Sequence, residues 1–385
     1  MKKWFAIFLS LVLIYSCFIV TADAVTDSKK FSPALDAFPQ LSSQEDAVTY
    51  YLSQSEQDNF GGIYYDDDGI LVVNTVGTTP RAALYSQKNQ EIGVRYQTVT
   101  YSLCDLETVK DFLAEYMDEY SILALDANEV TNQVDVCLKS YTKDTIAQIE
   151  NLVRHQYPDM DCLHFEDYSD YTISFTVGYE TSVQTSSETN EDNAYSLPPT
   201  SETTIIPGTQ IKIKNYFYTL GPATSSSIAY SAGHGFTGKQ AVSAFVSPTD
   251  PLGISVGTAS PQFGGIAMDS STITAGLRIK FGFITQLRTP IVGKSVKMLG
   301  SVSGAQTGKI KRTNQTITVE AMGDTPKAQL FGMCEADYRC AQGDSGAGIF
   351  DAANPLAYHY GIQSSAVFDS NKNWVGPSYF TPLFH

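Results

Sequence analysis

The stretch that decides the fold is Cys340-Ala341-Gln342-Gly343-Asp344-Ser345-Gly346-Ala347-Gly348. A serine hydroxyl is a weak nucleophile unless a neighbouring base accepts its proton. Glycines beside it allow a tight backbone turn and bring N–H groups close to a bound carbonyl. The residues around Ser345 therefore indicate nucleophilic chemistry, although a Gly/Ser turn between two strands has the same composition.

A second segment supplies a candidate base. His234 lies in Ser231-Ala232-Gly233-His234-Gly235, directly after the apolar residues 228–230, so we expect it at the end of a strand. The other histidines of the chain are His155, His164, His359 and His385. His155 and His164 fall in the N-terminal half and His385 is terminal, so His234 is the strongest candidate.

Together these segments resemble the chymotrypsin-fold, trypsin-like serine proteases, nearest the secreted bacterial streptogrisin and alpha-lytic type. The family carries its nucleophile in Gly-Asp-Ser-Gly and its base in Ala-x-His. Three further segments match in the family's order, namely residues 300–308, 360–365 and 378–383. The resemblance covers about residues 206–385. It implies that Ser345 is the nucleophile, His234 the general base, and the N–H groups of Gly343 and Ser345 the oxyanion hole.

The third member of the triad departs from the family pattern. The family's Asp opens a strand, and the matching stretch Phe263-Gly264-Gly265-Ile266-Ala267 has Phe263 at that position. Asp269 lies just beyond, 35 residues after His234, and is the candidate for the third member of the triad. The alternative is that Asp269 only forms a turn before Ser270-Ser271. The resemblance further implies that Gln342, Gln363 and Ser364 contact the substrate.

The chain divides into four parts. Residues 1–24 read as a signal peptide, with Lys2 and Lys3, an apolar run and the cleavage pattern Ala22-Asp23-Ala24. Residues 25–180 form an acidic region, and residues 181–207, rich in Ser, Thr and Glu, read as an exposed linker. Residues 208–385 would be the protease domain. Proteolytic separation of the two halves is expected in the linker.

The predicted fold class is an all-β catalytic domain of two six-stranded barrels, preceded by a small α/β pro-region. In the N-terminal half the sequence predicts a hairpin over 62–73 with its turn at Asp68-Gly69, and helices over 105–123 and around 146–153. Strands are expected at 134–138, near 162–165 and over 171–177. From Ile211 onward, short strands alternate with Gly, Ser and Pro.

Charge is divided unevenly between the halves. Residues 25–205 carry 9 Lys+Arg against 31 Asp+Glu, a net −22, whereas residues 206–385 carry 14 against 9, a net +5. The acidic lobe is either a solvated surface or a pro-region held against a basic catalytic domain. The overall charge of −16 argues against nucleic-acid binding.

These features lead to two functional hypotheses. The first is a secreted serine endopeptidase made as a zymogen, with protein or peptide substrates and its own pro-region as an intramolecular inhibitor. The second, motivated by Phe263, is an inactive protease-fold binding protein. No cofactor, metal or stable membrane insertion is expected; Asp66-Asp67-Asp68 lacks the further spaced carboxylates of a calcium loop.

Two structural details complete the expectations. Asp344 should be buried and need a positive partner, either Lys297 or a freed N-terminus. Cys334 and Cys340 are close enough in sequence for a small disulfide loop, which sequence alone does not prove.

Overall fold

The computed structural model describes residues 43–53, 58–77, 92–179, 199, 201–245, 253–262, 269–322 and 325–383. The signal-peptide segment 1–24 and Phe263 lie outside these ranges, as does most of the expected linker. Residues Ser42–His385 form one compact unit. No helix in the described ranges has the length and apolar character needed to cross a membrane.

In the N-terminal half, the described residues form the helices α1 (Gln44–Leu52), α2 (Leu103–Ala114) and α3 (Lys143–Gln156). The sequence assigned the cap of α2 to Asp105, but Ser102 is the N-cap. The Ser102 hydroxyl accepts from the Asp105 N–H while the Asp105 carboxylate accepts from the Ser102 N–H, which is a capping box. The helix also ends at Ala114, nine residues before the predicted end.

The N-terminal half also contains the following strands: β1 (Phe60–Tyr65), β2 (Leu71–Val76), β3 (Val94–Val99), β4 (Ile122–Asn128), β5 (Gln133–Leu138), β6 (Leu163–Asp167), β7 (Thr172–Phe175) and β8 (Gly178–Tyr179). The predicted hairpin is present, since β1 pairs antiparallel with β2 and Gly69 takes a φ of 76° at the turn. Strand β4 was not predicted, because its first residues were assigned to the helix before it.

The remaining strands are β9 (Thr203–Ile205), β10 (Gln210–Ile213), β11 (Tyr216–Thr219), β12 (Ala223–Ser225), β13 (Ile228–Ser231), β14 (Gln240–Ala244), β15 (Ile254–Gln262), β16 (Ser270–Ala275), β17 (Ile279–Phe281), β18 (Gln286–Leu287), β19 (Ser295–Gly300), β20 (Gly304–Val319), β21 (Ala328–Ala336), β22 (Gly348–Asp351), β23 (Tyr358–Phe368) and β24 (Trp374–Pro382). Strand β9 lies inside the expected linker and pairs in parallel with β17, so residues 203–205 are not an exposed tether. The described residues of the C-terminal half contain strands and connecting turns and no helix.

Two large sheets organise the unit. The first has eight strands in the order β12-β13-β16-β15-β14-β10-β11-β8. The second runs β19-β22-β23-β24-β21-β20, and β19 also pairs with β20, so these six strands close into a ring. The sequence predicts two six-stranded barrels; the observed pairs give one closed six-stranded ring and one open eight-stranded sheet.

The N-terminal half is joined to both sheets by main-chain pairing. Strand β4 pairs with β20 and extends the second sheet through β5 and β6. Strand β7 pairs with β23, and β8 pairs with β11 of the first sheet. Helices α2 and α3 cover the β4–β6 extension through a core of buried aliphatic side chains such as Leu113, Val136 and Val153. Residues 172–179 thus cross from the second sheet to the first.

Candidate active site

His234 and Asp269 meet where strands β13 and β16 bring their ends together. The Nδ1 atom of His234 lies 2.6 Å from Oδ2 of Asp269, and the His234 backbone N–H donates to Oδ1 at 2.8 Å. Both side chains are fully buried. Because the carboxylate accepts the Nδ1 proton, Nε2 is left as the proton acceptor. Asp269 therefore reaches His234 although it lies six residues beyond Phe263, the position at which the family pattern has its Asp.

Electrostatics keeps Asp269 ionised. Burial by itself raises the pKa of this carboxyl, but the charge of His234 and the hydrogen bonds from His234 and Ser364 lower the pKa below its ordinary value. The Ser364 hydroxyl donates to Oδ2, the same oxygen that faces the imidazole. A buried anion at this point holds the ring in one tautomer and stabilises an imidazolium.

Ser345 completes a chain of three side chains. Its Oγ lies 3.0 Å from His234 Nε2. The loop that presents it needs glycine at Gly343, where φ is 103° and a Cβ would come within 2.6 Å of Val302. The structure thus brings His234, Ser345 and Asp269 into one continuous chain of contacts.

The structure contradicts the expectation that Asp344 needs a positive partner. Its Oδ1 accepts from the backbone N–H groups of Val302 and Ser303, at 3.0 and 3.2 Å, and its Oδ2 accepts from Ala341 N at 2.9 Å. A buried carboxylate is satisfied by several backbone donors as well as by a cation. The hairpin between β19 and β20 therefore fixes the nucleophile loop directly.

The two N–H groups expected to form an oxyanion hole are already engaged. Gly343 N donates to the carbonyl oxygen of Thr176 at 2.6 Å, and Ser345 N donates to the same oxygen at 3.2 Å. The aromatic ring of Phe175 stacks on His234 with centroids 4.2 Å apart. Sequence analysis missed Thr176: the apolar–polar alternation over 171–177 predicted a strand, but no local signal shows what that strand pairs with.

Buried polar side chains pack together beside Ser345. The Gln363 amide accepts from Tyr338 Oη at 2.7 Å and donates to Ser365 O at 2.8 Å. Its Nε2 also lies 3.5 Å from both Cys340 Sγ and Thr176 Oγ1. The Gln363 side chain is therefore held between Tyr338 and the Thr176 side chain.

The remaining predicted site residues have different outcomes. Ser364 contacts Thr176 through its backbone carbonyl, which accepts from Thr176 N at 3.0 Å. Gln342 is exposed, and no hydrogen bond within the described residues joins its side chain to the others. The possible Cys334–Cys340 bridge is not formed in the structure, where both cysteines are free thiols. Cys334 is held in β21 against β24, while Cys340 faces the Ser378 hydroxyl at 3.2 Å.

A second cluster of titratable side chains lies where β4–β6 meet β20 and β21. Ligand atoms of Asp135, His164 and Glu166 lie close enough together to hold a metal ion. The guanidinium of Arg312 contacts both carboxylates and also pairs with Glu335 at 3.2 Å. This arginine already supplies the positive charge, so the cluster is better described as an ion-pair network than as a metal centre.

The arrangement is suited to acyl transfer to a serine. A base within hydrogen-bond distance of the hydroxyl, an anion that orients the base, and two N–H donors converging on one carbonyl are the parts this chemistry requires.

No family model and no curated protein matches the chain. Among solved structures, Thermobifida fusca protease A is 19% identical and covers 47% of this chain and 92% of its own, with a TM-score of 0.36. A Cellulomonas bogoriensis chymotrypsin is 19% identical and covers 47% of this chain and 92% of its own, with a TM-score of 0.35. A Nocardiopsis protease is 16% identical and covers 47% of this chain and 93% of its own, with a TM-score of 0.36. Scores of this size are too low for the function of these proteins to be transferred to this chain.

Proposed function

We propose that this chain is a secreted serine endopeptidase made as an inactive precursor. The observation that carries the proposal is the continuous chain of contacts from Asp269 through His234 to Ser345, next to a backbone carbonyl held by two N–H groups. Such an arrangement assembles a nucleophile, its base and an oxyanion site within one cleft. Export would follow from the signal-like residues 1–24.

In the proposed mechanism His234 takes the proton of Ser345 as Oγ attacks the substrate carbonyl carbon. The developing oxyanion is stabilised by the N–H groups of Gly343 and Ser345. His234 then gives the proton to the leaving amine, and water attacks the acyl-enzyme with the same base. Asp269 stabilises the imidazolium formed in each half of the reaction.

The N-terminal half is proposed as an intramolecular inhibitor. Phe175 and Thr176 of this half lie against the site. The side chains of His234 and Ser345 are fully buried in this arrangement. A tethered segment has a high effective concentration, so it excludes other substrates even at modest affinity. This coverage explains why the precursor would be inactive.

Charge complementarity supports the same proposal. In these ion pairs between the halves, the positively charged side chain belongs to the C-terminal half and the carboxylate to the N-terminal half. They are Arg288–Glu45, Lys309–Asp67, Lys327–Asp118 and Arg312–Asp135. We therefore expect the isolated N-terminal half to inhibit the processed enzyme in trans, and more weakly as salt rises, because exposed charges are screened beyond about 8–10 Å.

Hydrolysis of casein by the processed protein tests the proposal, with Ser345→Ala and His234→Ala as controls. Activity that disappears in both variants supports the enzyme. Folded, processed wild-type protein without activity would favour the alternative, a peptide-binding protein. Gain of activity from none in Phe263→Asp would strengthen that alternative further.

A further inference from the structure

A cluster of buried charges lies at the interface between the two halves. Arg312 of β20 contacts Asp135 at 3.0 Å and also contacts Glu166, and these two carboxylates belong to β5 and β6 of the N-terminal half. It pairs with Glu335 of β21 at 3.2 Å, and its Nε lies 3.6 Å from Oδ2 of Asp126 in β4. These five residues are called the interface cluster. Because three of its four carboxylates come from the N-terminal half, the cluster exists only while the halves are in contact.

Charge in the interface cluster does not balance. Four carboxylates face one guanidinium, which leaves an excess of negative charge if every carboxyl is ionised. Further titratable groups of the described residues around the cluster are Lys110, Glu129, Cys137, His164, Tyr168 and Tyr379. Of these, Lys110 is engaged with the Asn314 carbonyl at 2.8 Å, and His164 is half exposed beside Asp135. The excess charge is therefore reduced by bound protons.

Asp126 is the carboxyl most in need of a proton. It is 1% exposed, and neither of its side-chain oxygens accepts a hydrogen bond from the described residues. Burial raises the pKa of this carboxyl well above its ordinary value, the Glu129 and Asp135 carboxyls raise it further, and Arg312 opposes them only in part. Burial raises the pKa of Glu335 in the same way, despite its pairing with Arg312. Neutral Asp126 is thus the form that suits the closed arrangement of the halves.

The position of Asp126 in β4 links its proton to the contact between the halves. Strand β4 pairs with β20 at the two residues directly before Asp126. Ala124 and Asp126 share one face of the strand, because they are two residues apart. Ala124 packs in the core that contains residues of both halves. A negative charge on Asp126 therefore develops inside the contact itself.

Loss of protons from the cluster favours separation of the halves. A carboxyl whose pKa is raised in the closed arrangement binds more protons there than in an open one, where water reaches it and its ordinary value returns. The stabilisation is complete below the ordinary value and is lost as pH rises through the raised one. Burial raises the pKa of Glu129 from 4.5 to about 7, which places the start of this loss near neutral pH. Each proton lost then shifts the ratio of open to closed chains about tenfold per pH unit.

We infer that the interface cluster makes closure of the precursor depend on bound protons, so that the N-terminal half separates from β20 as pH rises above neutral. The inference rests on the proposed function and names a regulation of its site. Phe175 and Thr176, which lie against His234 and Ser345, belong to the half that is released. Inhibition is therefore strongest in mildly acidic surroundings and weakens in alkaline ones.

Two buried cysteines of the natural sequence can report this opening. Cys137 lies in the core shared by the halves, together with Ile317 and Tyr379 of the C-terminal half. Cys162 lies in the separate core beneath helices α2 and α3, and Cys104 is exposed. Separation of the halves should therefore expose Cys137 and leave Cys162 covered, whereas global unfolding exposes both.

The experiment labels the full-length Ser345→Ala chain with short pulses of iodoacetamide between pH 6 and pH 9, and mass spectrometry of its peptides measures each thiol. Labelling of Cys137 is divided by that of Cys104 in the same molecule, which cancels the ordinary effect of pH on thiol reactivity. We expect this ratio to rise at least about tenfold from pH 7 to pH 9. Cys162 should stay protected throughout.

A matched pair of variants connects the opening to the cluster. Asp126→Asn should remove most of the rise, because the amide has no proton to lose, whereas Asp170→Asn changes an exposed carboxylate and should behave as the parent chain does. The slope of the logarithm of the ratio against pH in the parent chain, about one per proton lost, is decisive even where Asp126→Asn fails to fold. A ratio that does not change with pH, an equal rise in folded Asp126→Asn, or labelling of Cys162 in step with Cys137 would overturn the inference.

Casein hydrolysis by the processed wild-type protein separates this inference from the proposed function. Hydrolysis together with a constant labelling ratio overturns only the dependence of closure on protons. A rising ratio without hydrolysis overturns the proposed function and leaves the pH-dependent opening in place.

Discussion

The carbonyl oxygen of Thr176 lies 2.6 Å from the backbone nitrogen of Gly343, which joins the N-terminal half to the nucleophile loop. This hydrogen bond joins main-chain atoms only, so any residue that fits at the position of Thr176 can accept it. It also places a peptide bond where the proposed chemistry needs one, and this single relationship connects inhibition and substrate binding.

Asp269→Asn should lower kcat on a peptide substrate by about 10⁴ and change KM little, because the amide cannot stabilise the imidazolium and favours the wrong tautomer. The matched control is Asp337→Asn, an exposed carboxylate near Lys311. Stopped assays on the processed enzyme measure both constants. Equal activity of the two variants would remove Asp269 from the mechanism.

Gln363→Ala should widen the preference of the enzyme for the residue before the scissile bond. The wild type should prefer small residues such as Thr, Ser and Ala, because the Gln363 side chain fills the neighbouring space. The variant should raise kcat/KM for Leu relative to Ala at least about tenfold, since Leu would bury three more carbons in the space that the Gln363 side chain vacates and each buried methylene is worth about 0.8 kcal/mol.

Kinetics on a peptide series that differs only at this position measures the ratio. The control is Gln286→Ala, an exposed glutamine outside the pocket. An unchanged Leu-to-Ala ratio in a folded Gln363→Ala enzyme would show that another side chain limits the pocket.

Arg312→Gln should weaken inhibition by the N-terminal half in trans about 100-fold or more. The change leaves Asp135 and Glu335 buried without their cation, and breaking a buried ion pair costs about 3–5 kcal/mol. Inhibition constants are compared with those of Arg339→Gln, which removes an exposed arginine. If both variants are inhibited as strongly as wild type, the ion-pair network does not hold the halves together.

Glu129→Gln should stabilise the precursor at pH 8 and have little effect at pH 5. Burial raises the pKa of Glu129 from 4.5 to about 7, so the native state binds more protons than the unfolded chain between these values. The native state is therefore favoured at low pH, and this contribution of up to about 3 kcal/mol is lost as pH rises through 7.

Urea unfolding at the two pH values measures the effect on the free energy of unfolding. Glu115→Gln, on the exposed face of the same lobe, is the control. Equal pH dependence in Glu129→Gln and wild type would contradict the assignment.

His234 and Ser345 could be singled out from the sequence because each lies in a short motif. Asp269 was a candidate only, since Phe263 stands at the family's position; in the structure it lies just before β16, with its carboxylate against His234. The partners of Asp344 were not predictable, because backbone N–H groups of a distant hairpin leave no side-chain signal in the sequence. Thr176 was missed for a related reason: its strand is recognisable by alternation, but its pairing with β23 is formed by residues far along the chain.

The arrangement of the halves was also only partly predictable. Opposite net charges indicated that residues 25–205 and 206–385 attract each other. The main-chain pairing of β4 with β20 could not be predicted, because hydrogen bonding between strands is independent of side-chain type and register depends on the assembled sheets.

The most direct test of the central claim is labelling of Ser345 by a fluorophosphonate after the N-terminal half has been removed. The probe forms a covalent bond only with a serine activated by its base. The account predicts label on the peptide that contains Ser345 in the wild type, no label there in Ser345→Ala or His234→Ala, and much slower labelling while the N-terminal half is bound. A folded protein whose Ser345 stays unlabelled once the N-terminal half is gone would contradict it.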